Sequence, residues 1–151
     1  MSRKFWQLDS CLLNESRLQL IVSELISYPN EFDGGYIGNP LKVREESERI
    51  IINFQSIAEC KLVQEQCSWP SYDHGEKIIS CLLYKLTSDF FFGKDQRDNL
   101  ETFDSNLGWV KCSELMCFVI HSERFDVYVL TSQSPAINRE KQCNFTYGKS
   151  V

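Results

Sequence analysis

The 151-residue sequence has no long apolar run, only two histidines and no surplus of basic residues. A membrane-spanning helix needs about 18 consecutive apolar residues, and the longest uninterrupted stretches, such as residues 50–52, are far shorter. After Arg3 and Lys4, polar residues from Gln7 onward interrupt any signal-peptide core. We therefore expect a cytoplasmic protein with no membrane partner, folded as a single domain over residues 1–151.

The charge balance is acidic, with 21 Asp and Glu against 16 Lys and Arg and a net charge of -5. Non-specific affinity for nucleic acid comes largely from clustered Lys and Arg that displace counterions from phosphates. The composition therefore argues against direct nucleic-acid binding and favours a protein partner of opposite charge.

Seven cysteines are present, but no two of them form a Cys-x-x-Cys pair. The count is odd and the chain is long enough to have its own core, so we expect all seven thiols to be reduced. The best metal candidate is Cys112, Cys117 and His121. On a strand, however, Cys117 and His121 would lie about 13 Å apart, too far to share a zinc ion. No metal and no cofactor are predicted.

No residue pattern identifies a catalytic centre. Two pairs of residues could act as nucleophile and base, namely Cys67 with His74 and Cys117 with His121. In a chain this rich in cysteine, however, a cysteine close to a histidine is expected by chance. The carboxylates show no spacing that assigns acid and base roles to two of them. We therefore expect a protein that is not an enzyme, with a small cysteine-dependent enzyme as one alternative and a non-catalytic adaptor or structural subunit as another.

Three segments carry apolar residues at three- and four-residue spacing, a pattern typical of amphipathic helices. In the first, Asn14 is a good N-cap and Pro29 ends the pattern. The predicted helices cover residues 14–28, 44–60 and 75–88.

The last third of the chain is rich in Val, Ile, Phe and Tyr, and a short polar link at 122–124 predicts an antiparallel hairpin near 112–132. The second strand has apolar groups on both faces, so it should be central in its sheet. The fold class is therefore α+β, with about three helices packed on a small antiparallel sheet that contains this C-terminal hairpin. The further neighbour of the second strand stays open among residues 5–8, 61–67 and 143–147. For 61–67, helix and strand are both possible.

Acidic residues concentrate between positions 89 and 106, a segment that contains five acidic residues and only two basic ones. A docking surface for a basic partner is one interpretation, and a solvated acidic loop is the other. Upstream, two aromatic residues flank Pro70 in a polar link, where burial alone explains large rings poorly. The predicted partner-binding residues are Trp69, Tyr72, Asp73, Asp95, Asp98, Glu101 and Asp104.

A glycine-rich early segment, Phe32-Asp33-Gly34-Gly35-Tyr36-Ile37-Gly38-Asn39-Pro40, precedes the apolar stretch at 47–54. In a small acidic protein, this combination resembles bacterial immunity proteins of contact-dependent growth inhibition and related polymorphic toxin systems, which have many unrelated folds. The resemblance implies an antitoxin that binds a cognate toxin, often a nuclease, and covers its basic active site.

Overall fold

The computed structural model describes residues 4–28, 40–64, 75–86 and 101–141. These residues form antiparallel strands and one short 3₁₀ helix, Cys112–Glu114, and they contain no helix of seven or more residues. The strands are β1 (Phe5–Asn14), β2 (Arg17–Leu25), β3 (Glu48–Phe54), β4 (Ile57–Gln64), β5 (Glu76–Ile79), β6 (Leu83–Leu86), β7 (Glu101–Asp104), β8 (Gly108–Lys111), β9 (Met116–His121), β10 (Phe125–Thr131) and β11 (Ala136–Lys141).

Two sheets account for nine of these strands. The first has the order β1-β2-β3-β11 and the second has the order β4-β10-β9-β6-β5, while β7 and β8 form a separate two-stranded ribbon. The chain leaves the first sheet at Ser56 and returns after Thr131, whose hydroxyl donates a hydrogen bond to the Ser56 carbonyl. The two crossing points are therefore joined directly.

The main core lies between the two sheets. Alternate residues of β2 and β3 meet residues of β9 and β10, and the rings of Phe54 and Phe118 contact edge to face with centroids 5.7 Å apart. Burial of apolar area between two facing sheets is the main source of stability in such a sandwich. The largest fully buried side chains include Trp6, Phe54, Phe118, Leu18, Leu20, Ile50 and Ile52.

A second core covers the opposite face of the five-stranded sheet. Leu115 and Cys112, from the segment that follows β8, pack there with Cys117, Val119 and Leu130. Strands β9 and β10 are consequently buried on both faces.

The predicted α+β class is wrong, because all three predicted helices are strands or turns. Residues 14–28 contain a tight turn and β2, residues 44–60 contain β3 and the start of β4, and 75–86 form the β5–β6 hairpin. The buried apolar residues of β2 are Leu18, Leu20 and Val22, which repeat every two positions as a strand requires. Ile21, on the other face of β2, is also apolar, and together with the buried residues it produced the three- and four-residue spacing that predicted a helix.

Two turns also lacked the usual residues. A tight hairpin turn with positive φ normally contains glycine or asparagine. Here Glu15, with φ of 56°, turns β1 into β2, and Cys81, with φ of 65°, lies between β5 and β6. Because neither residue signals a turn, the flanking strands could be read as continuous helices.

The C-terminal hairpin prediction is confirmed in type. Strands β9 and β10 pair antiparallel from Asp126 opposite His121 to Thr131 opposite Met116. The central position of β10 is also confirmed, since its other neighbour is β4. Of the three alternatives for that neighbour, the region of residues 61–64 is correct, and it is a strand.

Candidate functional site

The β7–β8 ribbon separates its polar and aromatic side chains by strand alternation. Thr102 and Asp104 are buried, whereas Glu101 and Phe103 are exposed. Phe103 lies directly opposite Trp109 in the register, and their rings meet edge to face with centroids 5.7 Å apart and an interplanar angle of 70°. An aromatic pair of this kind is held in a defined orientation. The ribbon therefore presents a preformed aromatic face to solvent.

The exposure of this face is large. Trp109 is 72% exposed, Phe103 55% and Leu107, in the connecting turn, 57%. Isolated exposed apolar residues are common, whereas a contiguous patch of large ones is a feature of binding surfaces. Within the described residues, Trp109 has the highest exposed fraction of any large hydrophobic side chain.

Asp104 holds the ribbon in place from beneath. Its carboxylate accepts hydrogen bonds from the backbone N–H groups of Asn106 and Leu107, both at 2.9 Å, and from the Ser132 hydroxyl at 3.0 Å. The Ser56 hydroxyl donates a longer bond of 3.4 Å to it. Ser56 and Ser132 lie where the chain crosses between sheets, so Asp104 ties the turn of the ribbon to the sandwich.

A cleft of about 560 Å³ adjoins the aromatic face. It lies between the β1–β2 turn and β4, which are joined by a hydrogen bond from the Ile57 N–H to the Ser16 carbonyl at 2.8 Å. Leu13, Phe103 and Cys60 are among the residues that line the cleft. Burial raises the pKa of the Cys60 thiol, so it carries no thiolate charge at neutral pH.

Charges of both signs surround the apolar surface. Glu15, Glu59 and Lys61 line the cleft, while Glu101 lies opposite Lys111 on the ribbon. Three carboxylates therefore face two ammonium groups, which gives a local balance of -1. We call the aromatic face and the cleft together the ribbon surface, defined by Leu13, Glu15, Glu59, Cys60, Lys61, Glu101, Phe103, Leu107, Trp109 and Lys111.

The predicted site residues fall into three groups. Trp69, Tyr72, Asp73, Asp95 and Asp98 lie outside the described residues. Glu101 is exposed on the ribbon surface. Asp104 is fully buried and bonded to the turn, so its carboxylate supports the surface rather than facing solvent.

Sequence reasoning missed the aromatic residues of the ribbon. Phe103 falls within the acidic segment 89–106 and Trp109 lies just before the predicted hairpin, and neither was among the predicted partner-binding residues. The sequence did contain a turn signal in Asn106-Leu107-Gly108. In the structure Gly108 has φ of +80° and lies opposite Asp104 at the end of the ladder. A turn of this kind, flanked by the alternating segments 101–104 and 108–111, is typical of a hairpin.

The candidate metal ligands do not assemble. Cys112 and Cys117 pack in the second core, whereas the Nδ1 atom of His121 lies 2.5 Å from the Asp126 carboxylate. Across the described ranges, no three His, Cys, Asp or Glu side chains are grouped to hold a metal ion, and no disulfide joins two of the cysteines. No helix in these ranges is long and apolar enough to cross a membrane.

Comparison with known proteins adds no relative. No family model matches the chain, and neither a curated protein nor a solved structure shows significant similarity to it.

Proposed function

We propose that this chain is a non-catalytic binding protein and that the ribbon surface is where it contacts a folded protein partner. The observation that carries the proposal is the Phe103 and Trp109 pair, which is exposed yet oriented by the ladder of β7 and β8. A rigid aromatic pair loses little conformational entropy when it is covered.

The surroundings of the pair match the usual anatomy of a protein interface. Tryptophan is the residue type most enriched among binding hot spots, and hot spots lie in an apolar centre with a polar rim. Trp109 and Leu107 provide the centre, and Glu101, Lys111 and Glu59 provide charges around it. The neighbouring cleft offers a recess for a side chain of the partner.

The partner that fits best is a basic protein. The chain has a net charge of -5, and the ribbon surface carries one more carboxylate than ammonium groups. An acidic surface accelerates association with a basic partner and discriminates against acidic ones. This chemistry agrees with the function implied by the resemblance to immunity proteins, namely a cytoplasmic antitoxin that covers the basic active site of a toxin such as a nuclease.

Affinity purification of three tagged versions from the native cell tests the proposal. We expect the wild-type chain to retain one basic protein at equal stoichiometry and Trp109→Ala to lose most of it, because truncating a hot spot costs about 2 kcal/mol or more. The matched control is Ile78→Ala, since Ile78 is also an exposed apolar residue but lies on β5, at the opposite edge of the sheet from β4.

The comparison between variants decides the result. Retention of the partner by Ile78→Ala together with its loss from Trp109→Ala supports the ribbon surface. If all three versions retain the same protein equally, the interface lies elsewhere on the chain. If the wild-type chain instead turns over a substrate, the non-catalytic assignment is wrong.

A further inference from the structure

Strand β4 lies at an edge of the five-stranded sheet, where β10 is its only neighbour among the described strands. Every residue from Lys61 to Gln64 is exposed, including Leu62 at 54% and Val63 at 41%. An edge strand presents backbone groups that pair readily with another strand unless proline, charge or a covering segment prevents it. β4 contains no proline. Within the described residues, this edge is therefore open to the addition of a strand.

The hydrogen-bond pattern of β10 shows which backbone groups of β4 point outward. The N–H of Ser122, the residue after β9, donates to the Phe125 carbonyl at 3.0 Å, so Phe125 bonds on the β9 side. The bonding side alternates along an antiparallel strand, so Tyr128, three positions later, bonds on the β4 side. Its partner in the register is Lys61, whose N–H and carbonyl therefore point to β10. Cys60, one position earlier, directs its N–H and carbonyl away from the sheet.

The residues around Cys60 are self-complementary when two copies of β4 pair antiparallel. Residues 57–63 comprise two apolar residues, a carboxylate, the central cysteine, an ammonium and two further apolar residues. With a twofold axis at Cys60, Glu59 of one copy lies opposite Lys61 of the other, and the contact occurs twice. The flanking apolar residues likewise lie opposite one another. Opposite charges across two strands stabilise their pairing, whereas like charges destabilise it.

The direction of the backbone groups favours this register. If Cys60 exchanges its backbone hydrogen bonds across the axis, Glu59 and Lys61 fall at positions that are not hydrogen-bonded, where opposed side chains come closest. Glu59 and Lys61 are two positions apart and lie on the same face of the sheet. The Lys61 ammonium lies over the Tyr128 ring, 5.3 Å from its centroid. It is therefore held on the face where the carboxylate of a second copy would arrive.

The other edge strands of the two sheets lack this complementarity. β1 contains Asp9 as its only charged residue, so two β1 strands cannot pair opposite charges. On β11 the Arg139 guanidinium already lies 2.5 Å from the Glu48 carboxylate of its own chain. β5 has only four residues. Among the described edges, β4 therefore fits a second copy best.

We propose that this chain forms a symmetric dimer in which the β4 strands of two copies pair antiparallel about Cys60 and Glu59 of each copy forms an ion pair with Lys61 of the other. The pairing joins the two five-stranded sheets, and the cleft beside residues 57–61 provides the space for it. A register shift between β4 and β10 at Ala58 shortens the regular ladder, so the dimer is weak and depends on the ion pairs. Because its residues also belong to the ribbon surface, the dimer and the partner compete for this edge.

Sedimentation equilibrium of the purified chain at low salt and rising concentration tests the dimer. We expect a monomer and dimer equilibrium for the wild type. Glu59→Lys and Lys61→Glu should each raise the dimer Kd about tenfold, because each change makes two symmetry-related contacts repulsive. Glu59→Lys also makes the net charge of -5 less negative, which by itself favours association. The double variant restores opposite charges across the axis and should recover most of the wild-type affinity.

Glu76→Lys and Lys77→Glu are the matched controls. Both residues are exposed on β5, at the opposite edge of the sheet from β4, and the substitutions change the net charge by the same amounts. Neither control should alter the dimer Kd. If the controls weaken the dimer as much as the β4 variants do, the effect comes from net charge and the proposal is wrong.

Amide hydrogen exchange provides a readout that needs no variant. The Cys60 N–H should exchange more slowly as the dimer forms, whereas the Lys61 N–H, which already faces β10, should not change. A chain that stays monomeric at every concentration, an unchanged Cys60 rate in the dimer, or a double variant no tighter than the single ones would overturn the proposal. Because every measurement uses the purified chain alone, the result is independent of the partner proposed above.

Discussion

The β9–β10 and β7–β8 hairpins are adjacent in the chain and both carry large apolar residues, but these residues have opposite environments. In β9–β10 both faces are buried, one against the first sheet and the other beneath the segment around Leu115. In β7–β8 the inward side chains include Thr102, Asp104 and Val110, and the aromatic pair faces solvent. Apolar content alone thus does not decide burial. The layers that pack over a strand decide which of its apolar side chains are buried.

The largest difference between the hairpins should appear when one phenylalanine is removed from each. Phe118→Ala should destabilise the protein by about 3 to 5 kcal/mol, because a fully buried ring leaves a cavity between the sheets. Phe103→Ala should cost less than about 1 kcal/mol, since the ring is half exposed. Urea denaturation of both variants measures the difference, and equal losses would contradict the assignment of Phe103 to an exposed face.

Removing the buried anchor of the ribbon should have the next largest effect. Asp104→Ala leaves the N–H groups of Asn106 and Leu107 without their acceptor and should cost about 2 to 3 kcal/mol. Hydrogen exchange at those two amides should accelerate. Glu101→Ala, on the exposed face of the same strand, is the control and should change stability by less than about 0.5 kcal/mol. Slow exchange in Asp104→Ala would show that the carboxylate does not hold the turn.

Trp109→Ala separates stability from binding. With a purified partner, this change should raise the Kd by about 30-fold, equivalent to about 2 kcal/mol, mainly through faster dissociation. Its effect on unfolding should be below about 1 kcal/mol because the side chain is largely exposed. Titration calorimetry and urea denaturation measure the two quantities. A variant that loses stability but not affinity would reverse the role we give to Trp109.

The smallest effect is expected at the turn of the ribbon. Gly108 has φ of +80° with open space where a Cβ would lie, so Gly108→Ala should cost about 1 kcal/mol from backbone conformation alone. Asn106→Ala, in the same turn without positive φ, should cost less. Thermal denaturation compares the two, and a neutral Gly108→Ala would place the turn in another conformation.

The two hairpins also differ in how well the sequence predicted them. The β9–β10 hairpin was predictable, because β-branched and aromatic residues surround a short polar turn at 122–124 and that local pattern matches the tertiary result. The predicted helices failed where apolar residues occupy both faces of a strand, as at Ile21 and Ile51. In such a strand the apolar residues of the two faces together also recur at three- and four-residue intervals, so the pattern matches an amphipathic helix as well as a strand.

The candidate site was less predictable than the fold. Glu101 was among the predicted partner-binding residues. Asp104 was chosen for its charge, and nothing in the local sequence indicated that its carboxylate would be buried under a turn. The exposure of Phe103 and Trp109 depends on which layers pack over them, which is a long-range property.

Radical footprinting of the chain, free and bound to its purified partner, tests the ribbon surface most directly. In the free chain, Phe103 and Trp109 should be oxidised rapidly because both rings are exposed. In the complex we predict strong protection of both residues and unchanged oxidation of Ile78 at the far edge of the second sheet. Undiminished oxidation of Trp109 in the complex would contradict the proposed binding surface.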